Sequence, residues 1–258
     1  MAGEPKIYTK NYLNSDCVVT YTSGSTTGVN LYDQDDATPY VTVGSSDATE
    51  EVLDITFREG PSTSDVTRAL DRLILLNHNV KSWDLHKYDS GAWTLVNAQT
   101  AIAVSHSIVS FDEFSDSRVR VELKTTQTAN AQKSVGQLIL CNHTLTFTDD
   151  FTEYSEAWRE DVRVLKLADG SEDRAYARRT VGRVGLFECS WRVDCASSSF
   201  RDSLFSVKES GEPFYFEPES TTDAGRMYFV HWAGPWQAKY TTSYKGAGWT
   251  ITGKFTEV

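Results

Sequence analysis

Long hydrophobic runs are missing from this 258-residue chain. No stretch approaches the roughly 18 apolar residues that a membrane-spanning helix requires, so membrane insertion is not expected. The opening MAGEPKIYTK has no apolar h-region, which predicts no export through the signal-peptide route. Positive charge is scarce: 25 Lys plus Arg face 36 Asp plus Glu, for a net charge of −11. A chain this acidic lacks the clustered cations a phosphate backbone demands, so nucleic acid is not an expected partner. Four cysteines, with no Cys-x-x-Cys pair and no histidine at ligand spacing, read as neither a disulfide framework nor a zinc site. Cys189 and Cys195 share one face of a predicted strand, but a rise of roughly 3.3 Å per residue sets them about 20 Å apart, too far to bridge. They read as buried small apolar residues.

Catalytic signatures are absent as well. The histidines at 78, 86, 106, 143 and 231 form no His-x-x-x-His or His-Glu-x-x-His arrangement. There is no Gly-x-Ser-x-Gly elbow, no phosphate-cradling glycine loop and no dinucleotide fingerprint. Carboxylate pairs abound, but in so acidic a chain they argue weakly for glycosidase chemistry. A non-enzymatic protein with no obligate cofactor is expected.

What the sequence does contain is aromatic and strand-forming. Aromatics make up 12% of the chain, with 7 Trp and 12 Tyr, while Met is reduced to 2, a balance that favours strands over helices. The expected fold class is all-β: an N-terminal β-sandwich jelly roll over residues 1–147, then a smaller β-barrel or sheet domain over 148–258 carrying one helix near 198–210. In the first half, short apolar runs separated by Gly, Ser, Asn and Asp predict strands at Cys17–Tyr21, Tyr40–Val43, Glu51–Phe57, Asp71–Asn77, Ser82–Tyr88, Ala92–Val96, Ser105–Phe111, Arg118–Thr125 and Val135–Leu140. Arg118–Lys124 alternates, with Val119, Val121 and Leu123 on one face and Arg118, Arg120, Glu122 and Lys124 on a wet one. Leu73–Leu76 is apolar on both faces, as a central strand would be. An echo links Leu73-Ile74-Leu75-Leu76-Asn77-His78 to Leu138-Ile139-Leu140-Cys141-Asn142-His143. It reads either as two central strands of one sandwich or as a duplicated binding loop.

The acidic, turn-like Asp149–Glu156 marks the expected boundary, and nine of the fourteen arginines follow it. Residues 1–147 carry 11 cationic against 18 acidic side chains, and residues 148–258 carry 14 against 18. Glu188–Cys195 alternates with Cys189, Trp191, Val193 and Cys195 inward. A helix follows, with Ser198 or Ser199 as N-cap, Phe200, Leu204 and Val207 or Lys208 along one stripe and Gly211 as terminator. Further strands are predicted at Pro213–Phe216, Met227–Trp232 and Trp249–Phe255.

Three groups of residues are candidates for function. Trp83, Tyr88 and Trp93 flank the turn Asp89-Ser90-Gly91 and are placed to stack on a saccharide, with core packing the alternative for Trp93. Asp33, Asp35 and Asp36 lie in one turn and offer oxygens to calcium, the alternative being a polar turn whose Asp side chains cap backbone amides. Trp232, Trp236 and Trp249 stand beside glycines as interface anchors or as packing under loops.

The first half resembles a discoidin-type, galactose-binding-like jelly roll. The resemblance is carried by Val18–Ser25, Tyr32–Tyr40, Leu73–Leu76, Trp83–Trp93 and Arg118–Val121 and covers residues 11–147. It implies sugar or lipid binding by loops at one end, calcium near the early acidic turn, and Cys17 and Cys141 at the places that a disulfide joins in extracellular relatives. The second half is similar, more loosely, to the C-terminal portions of tailed-phage tail-tip and distal tail proteins. Its carrying residues are Phe200–Leu204, Gly211–Glu219, Tyr228–Trp232 and Gly248–Glu257. That likeness implies a virion structural protein of a tail tip or baseplate, assembled in the host cytoplasm. Its partners would be further copies of itself in a ring, other tail proteins and host-surface glycan. A stand-alone carbohydrate-binding protein is the alternative.

Overall fold

Some strands alternate in burial, as Glu51–Thr56 and Arg118–Thr126 do, while others, such as Ser134–Cys141 and Phe214–Glu217, are buried on both faces. In the computed structural model the described residues are 6–8, 11–24, 26–33, 38–60, 64–142, 145–146, 153–160, 162–166, 172–176, 183–194, 198–218, 227–243 and 246–257. The strands are β1 (Lys6–Tyr8), β2 (Val18–Tyr21), β3 (Tyr40–Val41), β4 (Glu51–Thr56), β5 (Arg68–His78), β6 (Val80–Asp89), β7 (Ala92–Gln99), β8 (Ser107–Asp116), β9 (Arg118–Thr126) and β10 (Ser134–Cys141). They continue as β11 (Leu145–Thr146), β12 (Glu153–Glu160), β13 (Val162–Lys166), β14 (Glu172–Tyr176), β15 (Arg183–Asp194), β16 (Phe214–Glu217), β17 (Tyr228–Trp232), β18 (Gln237–Ser243) and β19 (Gly246–Glu257). The single α-helix among the described residues, α1, spans Ser198–Ser210, and no helix there is long and apolar enough to cross a membrane. The fold is all-β, built of antiparallel sheets.

Two units emerge: residues 10–143, and residues 1–9 together with 144–258. The first is a jelly-roll sandwich of a five-stranded sheet, β2-β4-β9-β6-β7, and a four-stranded sheet, β3-β10-β5-β8. Its core takes Leu53 and Ile55 from β4, Trp83 and Leu85 from β6, and Val119, Val121 and Leu123 from β9, against Leu73, Leu75, Leu138 and Leu140 from the facing sheet. The alternation of β9 leaves Arg118, Arg120, Glu122 and Lys124 on the outer face. The sequence echo resolves into neighbours: β5 and β10 pair antiparallel, with Leu73 opposite Leu140, Ile74 opposite Ile139 and Leu75 opposite Leu138. Both faces of Leu73–Leu76 are buried, as a central strand requires.

The second unit is a sheet ordered β11-β1-β16-β17-β19-β15-β12, with β18 also paired to β19. β1 lies between β11 and β16, so residues before and after the sandwich join one sheet and the sandwich is an insertion in it. In this respect the structure differs from the linear division at residue 147, which the short, weakly patterned β1 and β11 gave no reason to doubt. Tyr8 Oη donates to Glu217 Oε2 at 2.6 Å, a buried bond that ties β1 to β16. Leu204 and Val207 of α1 are buried against the core of Phe187, Cys189, Phe214, Phe216, Val230, Ile251 and Phe255. Gly211, at φ +68°, takes the left-handed conformation that ends the helix. The side chains of Trp191 and Val193, and all of Cys195, lie outside what is described.

Candidate functional site

The outer face of the five-stranded sheet gathers the most chemistry. On β9 the outward residues alternate with the core set, and β6 presents Asp84, His86 and Tyr88 beside them. β7, at the sheet edge, returns from a tight turn in which Ser90 (φ +51°) and Gly91 (φ +91°) both adopt positive φ. That turn places Trp93 opposite Tyr88, and a bulge at Leu85/His86 shifts the register beyond it.

Trp93 and Tyr88 are half-buried and meet edge to face, ring centroids 5.0 Å apart. The Arg120 guanidinium lies over the Trp93 ring at 4.4 Å, and that of Arg118 over Tyr88 at 5.2 Å. Arg120 is in turn held by Asp54 of β4 through a fork of two hydrogen bonds, 2.6 and 3.0 Å. The hydrogen bond to Asp54 raises the Arg120 pKa above its already high value, so the guanidinium is a permanent cation. The result is an indole packed against Tyr88 and against a guanidinium that Asp54 holds in place.

Trp83 is a correction to the sequence reading: it is 0% exposed and belongs to the core. Alternation on β6 puts it on the same inward face as Leu85, so it offers no surface to a saccharide. Its indole N–H finds no hydrogen-bond partner there. Of the acidic turn, Asp33 accepts from Thr38 Oγ1 at 2.9 Å, while Asp35 and Asp36 lie outside the described residues. Cys17 and Cys141 are free, buried thiols rather than a bridged pair. Cys17 Sγ donates to the Tyr12 carbonyl at 3.1 Å, and burial pushes the Cys141 pKa well up. Trp232, Trp236 and Trp249 are all partly buried against the second unit's core, with Arg201 over Trp249 at 4.9 Å. Trp236 meets Trp232 at 5.6 Å and Phe205 of α1 at 5.2 Å, and Phe205 is 38% exposed.

A second polar assembly, at the end of the sandwich where four loops meet, was not signalled by any sequence motif. Asp47 accepts from the backbone N–H of Thr126 and of Asn130 and from Thr126 Oγ1, and these bonds hold its pKa below the usual carboxylate range. Lys133, only 1% exposed, donates from Nζ to the carbonyls of Ser46 and Thr49 at 3.0 and 2.8 Å. Gln127 links the 101–106 loop to Asn79, and His78 N–H donates to the Ser105 carbonyl. These bonds satisfy loop backbone that would otherwise be unpaired, and the assembly reads as architecture.

His78 makes that end acid-sensitive. Its Nδ1 accepts from Val80 N–H at 3.1 Å, which leaves Nε2 protonated and, in the structure, without a partner. Burial first, then the charge of His106, lowers its pKa from 6.5 to about 4. Neutral histidine is thus the form the fold accommodates. Its contribution is intact above pH 6.5 and is lost as pH falls from 6.5 towards 4. The expected loss is about 3 kcal/mol, read as denaturation midpoints across that window, and His78→Gln should flatten the dependence.

No protein-family model and no curated protein matches the chain. Among solved structures, it is similar to the family 32 carbohydrate-binding module of Clostridium perfringens NanJ in complex with galactose: 15% identity, 54% of this chain, 99% of that one, TM-score 0.42. It is also similar to chitosan-binding module 2 in complex with chitotriose, from the chitosanase/glucanase of Paenibacillus sp. IK-5: 19% identity, 49% of this chain, 97% of that one, TM-score 0.41. A third is a putative alpha-L-fucosidase from Bacteroides thetaiotaomicron: 14% identity, 54% of this chain, 30% of that one, TM-score 0.44. At such values no functional residue is carried over from these proteins.

Proposed function

We propose that residues 10–143 form a glycan-binding module whose ligand lies on the outer face of the five-stranded sheet, against Trp93. The observation that carries this reading is the held indole: Trp93 braced by Tyr88 at 5.0 Å and by Arg120 at 4.4 Å, with Arg120 fixed by Asp54. A pyranose presents an apolar C–H face that packs on an aromatic ring and a rim of hydroxyls that bond to planar polar groups. Orientation fixed before binding reduces the ordering cost on association. The module binds without turnover in this reading, and release of reducing ends from polysaccharide would contradict it.

Galactose and chitotriose, bound by two of the modules named above, are the first ligands to test, followed by a glycan array. Trp93→Ala is expected to weaken binding at least tenfold, the equivalent of about 1.4 kcal/mol, while costing the half-exposed site no more than about 1 kcal/mol of stability. Unchanged affinity in that variant would remove Trp93 from the site.

A second reading assigns residues 144–258 an assembly role in a phage tail tip or baseplate, as a ring or with other tail proteins. The tail assignment rests on the sequence likeness of residues 200–257 alone; what the aromatic row of Phe205, Trp236 and Trp232 supports is a face for self-association. Sedimentation at high concentration should then show self-association that Trp236→Ala weakens by about tenfold or more. A strictly monomeric chain would argue for the stand-alone binder instead.

A further inference from the structure

A few residues along the same sheet face, Asp84 and Glu122 stand directly opposite each other on β6 and β9. Two carboxyl groups at directly opposed cross-strand positions are an unfavourable pairing unless a cation lies between or beside them. His86, two residues from Asp84 and so on the same face, completes the group. One ligand atom from each of the three lies within 4.8 Å of the others. The side chains are 15% (Asp84), 15% (His86) and 17% (Glu122) exposed, so they are shielded on most sides. His86 Nδ1 is buried without a hydrogen-bond partner, 3.9 Å from Glu122 Oε1, beyond hydrogen-bonding reach. The cation now present is Lys124, whose Nζ donates to Asp84 Oδ2 at 2.5 Å and lies 3.8 Å from Glu50. Arg120 reaches Glu122 only at 3.9 Å.

We propose that Asp84, His86 and Glu122 form a divalent metal site on this face, with zinc the ion the set suits. One imidazole nitrogen and two carboxylate oxygens match the donors zinc takes, and three protein ligands leave a coordination position for water or a ligand group. Zinc needs ligand atoms about 2.0–2.2 Å from itself, so the three side chains close by roughly 1 Å on binding, within reach of rotamer adjustment. Lys124 is the built-in competitor: metal binding releases its ammonium from Asp84 into solvent, where its long stem keeps it hydrated. The position beside Trp93 and Arg120 places an open coordination site next to the glycan surface, but the metal site stands or falls on its own ligands.

The test uses zinc chloride alone, titrated calorimetrically into the full chain. One equivalent of zinc is expected to bind. His86→Ala should weaken it by more than the 10–100-fold that changes outside a ligand shell typically cost, and the near-isosteric Glu122→Gln by at least tenfold. Lys124→Met, which removes the competitor and no ligand, should tighten binding. Zinc bound equally well by the His86→Ala chain would place the metal at another histidine and overturn the proposal. Lack of zinc binding by the unaltered chain, or weaker binding in Lys124→Met, would overturn it too.

Discussion

Trp83→Ala is expected to destabilise the sandwich by about 3–5 kcal/mol, the range for truncating a large buried aromatic. The side chain is fully enclosed and packs in the core that both sheets share. The hole left behind is bounded by rigid strands, which limits collapse into it. Trp83→Phe should cost far less, because it keeps most of the ring and also removes an indole N–H that has no partner. Native-state hydrogen exchange of amides in β5, β6, β9 and β10 reads the opening of this unit directly, without interference from the other. Equal losses in the two variants would show that volume is not what Trp83 supplies.

Glu51 is the second position where a large loss is expected. It is 1% exposed at the head of β4. Its Oε1 accepts from Tyr40 Oη at 2.6 Å and from Ser23 N–H at 3.0 Å, while Oε2 accepts from Ser23 Oγ. Burial first, and then this hydrogen bond, pushes the Tyr40 pKa well up, keeping the phenol a donor. Gly24 has no side chain to interfere: a Cβ there would lie 2.7 Å from Tyr40 Oη, so the loop closes over the tyrosine only with glycine. Glu51→Ala leaves the buried Tyr40 hydroxyl without an acceptor, at about 1–3 kcal/mol, and also removes the acceptor of two part-buried Ser23 donors, for an expected loss of about 3 kcal/mol. Glu51→Gln keeps the Oε1 acceptor and turns the other contact into an amide donating to Ser23 Oγ, so it should lose no more than about 1 kcal/mol. The gap between the two variants, measured by the same exchange experiment, separates hydrogen-bond satisfaction from side-chain volume.

The contrast between Trp83 and Trp93 shows what a sequence can and cannot convey here. Apolar runs bounded by turn residues located the strands, with alternation of inward and outward positions adding to it over Arg118–Lys124, and all nine expected in the first half are present. The same rule sets the two tryptophans apart: Trp83 shares a face with Leu85, while Trp93 faces Tyr88 across a tight turn. Their proximity to one glycine turn said nothing about which side of the sheet each occupied. Arg120 was legible as an outward position, but its pairing with Asp54 needed the β4-β9 register, a long-range fact no local pattern encodes. The polar hubs at Glu51, Lys133 and Asp47 were invisible for a related reason: their partners are mostly loop backbone groups that carry no residue signature. β12 was read as the acidic turn around 149–156, because charges on a strand beside β15 look like a solvated loop when only composition is considered. β1 and β11 were missed since three- and two-residue strands leave no period to detect.

Glycan recognition on the outer sheet face, rather than by the four loops at the end of the sandwich, is the central functional claim. Backbone amide shifts of the full chain, followed by NMR while the best-binding glycan is titrated in, test it most directly. The expected result is a saturable perturbation centred on the Trp93 indole N–H and on amides of β6, β7 and β9 around Tyr88 and Arg120. Perturbations confined to residues 42–49, 101–106 and 126–134, with the Trp93 signal unmoved, would contradict it.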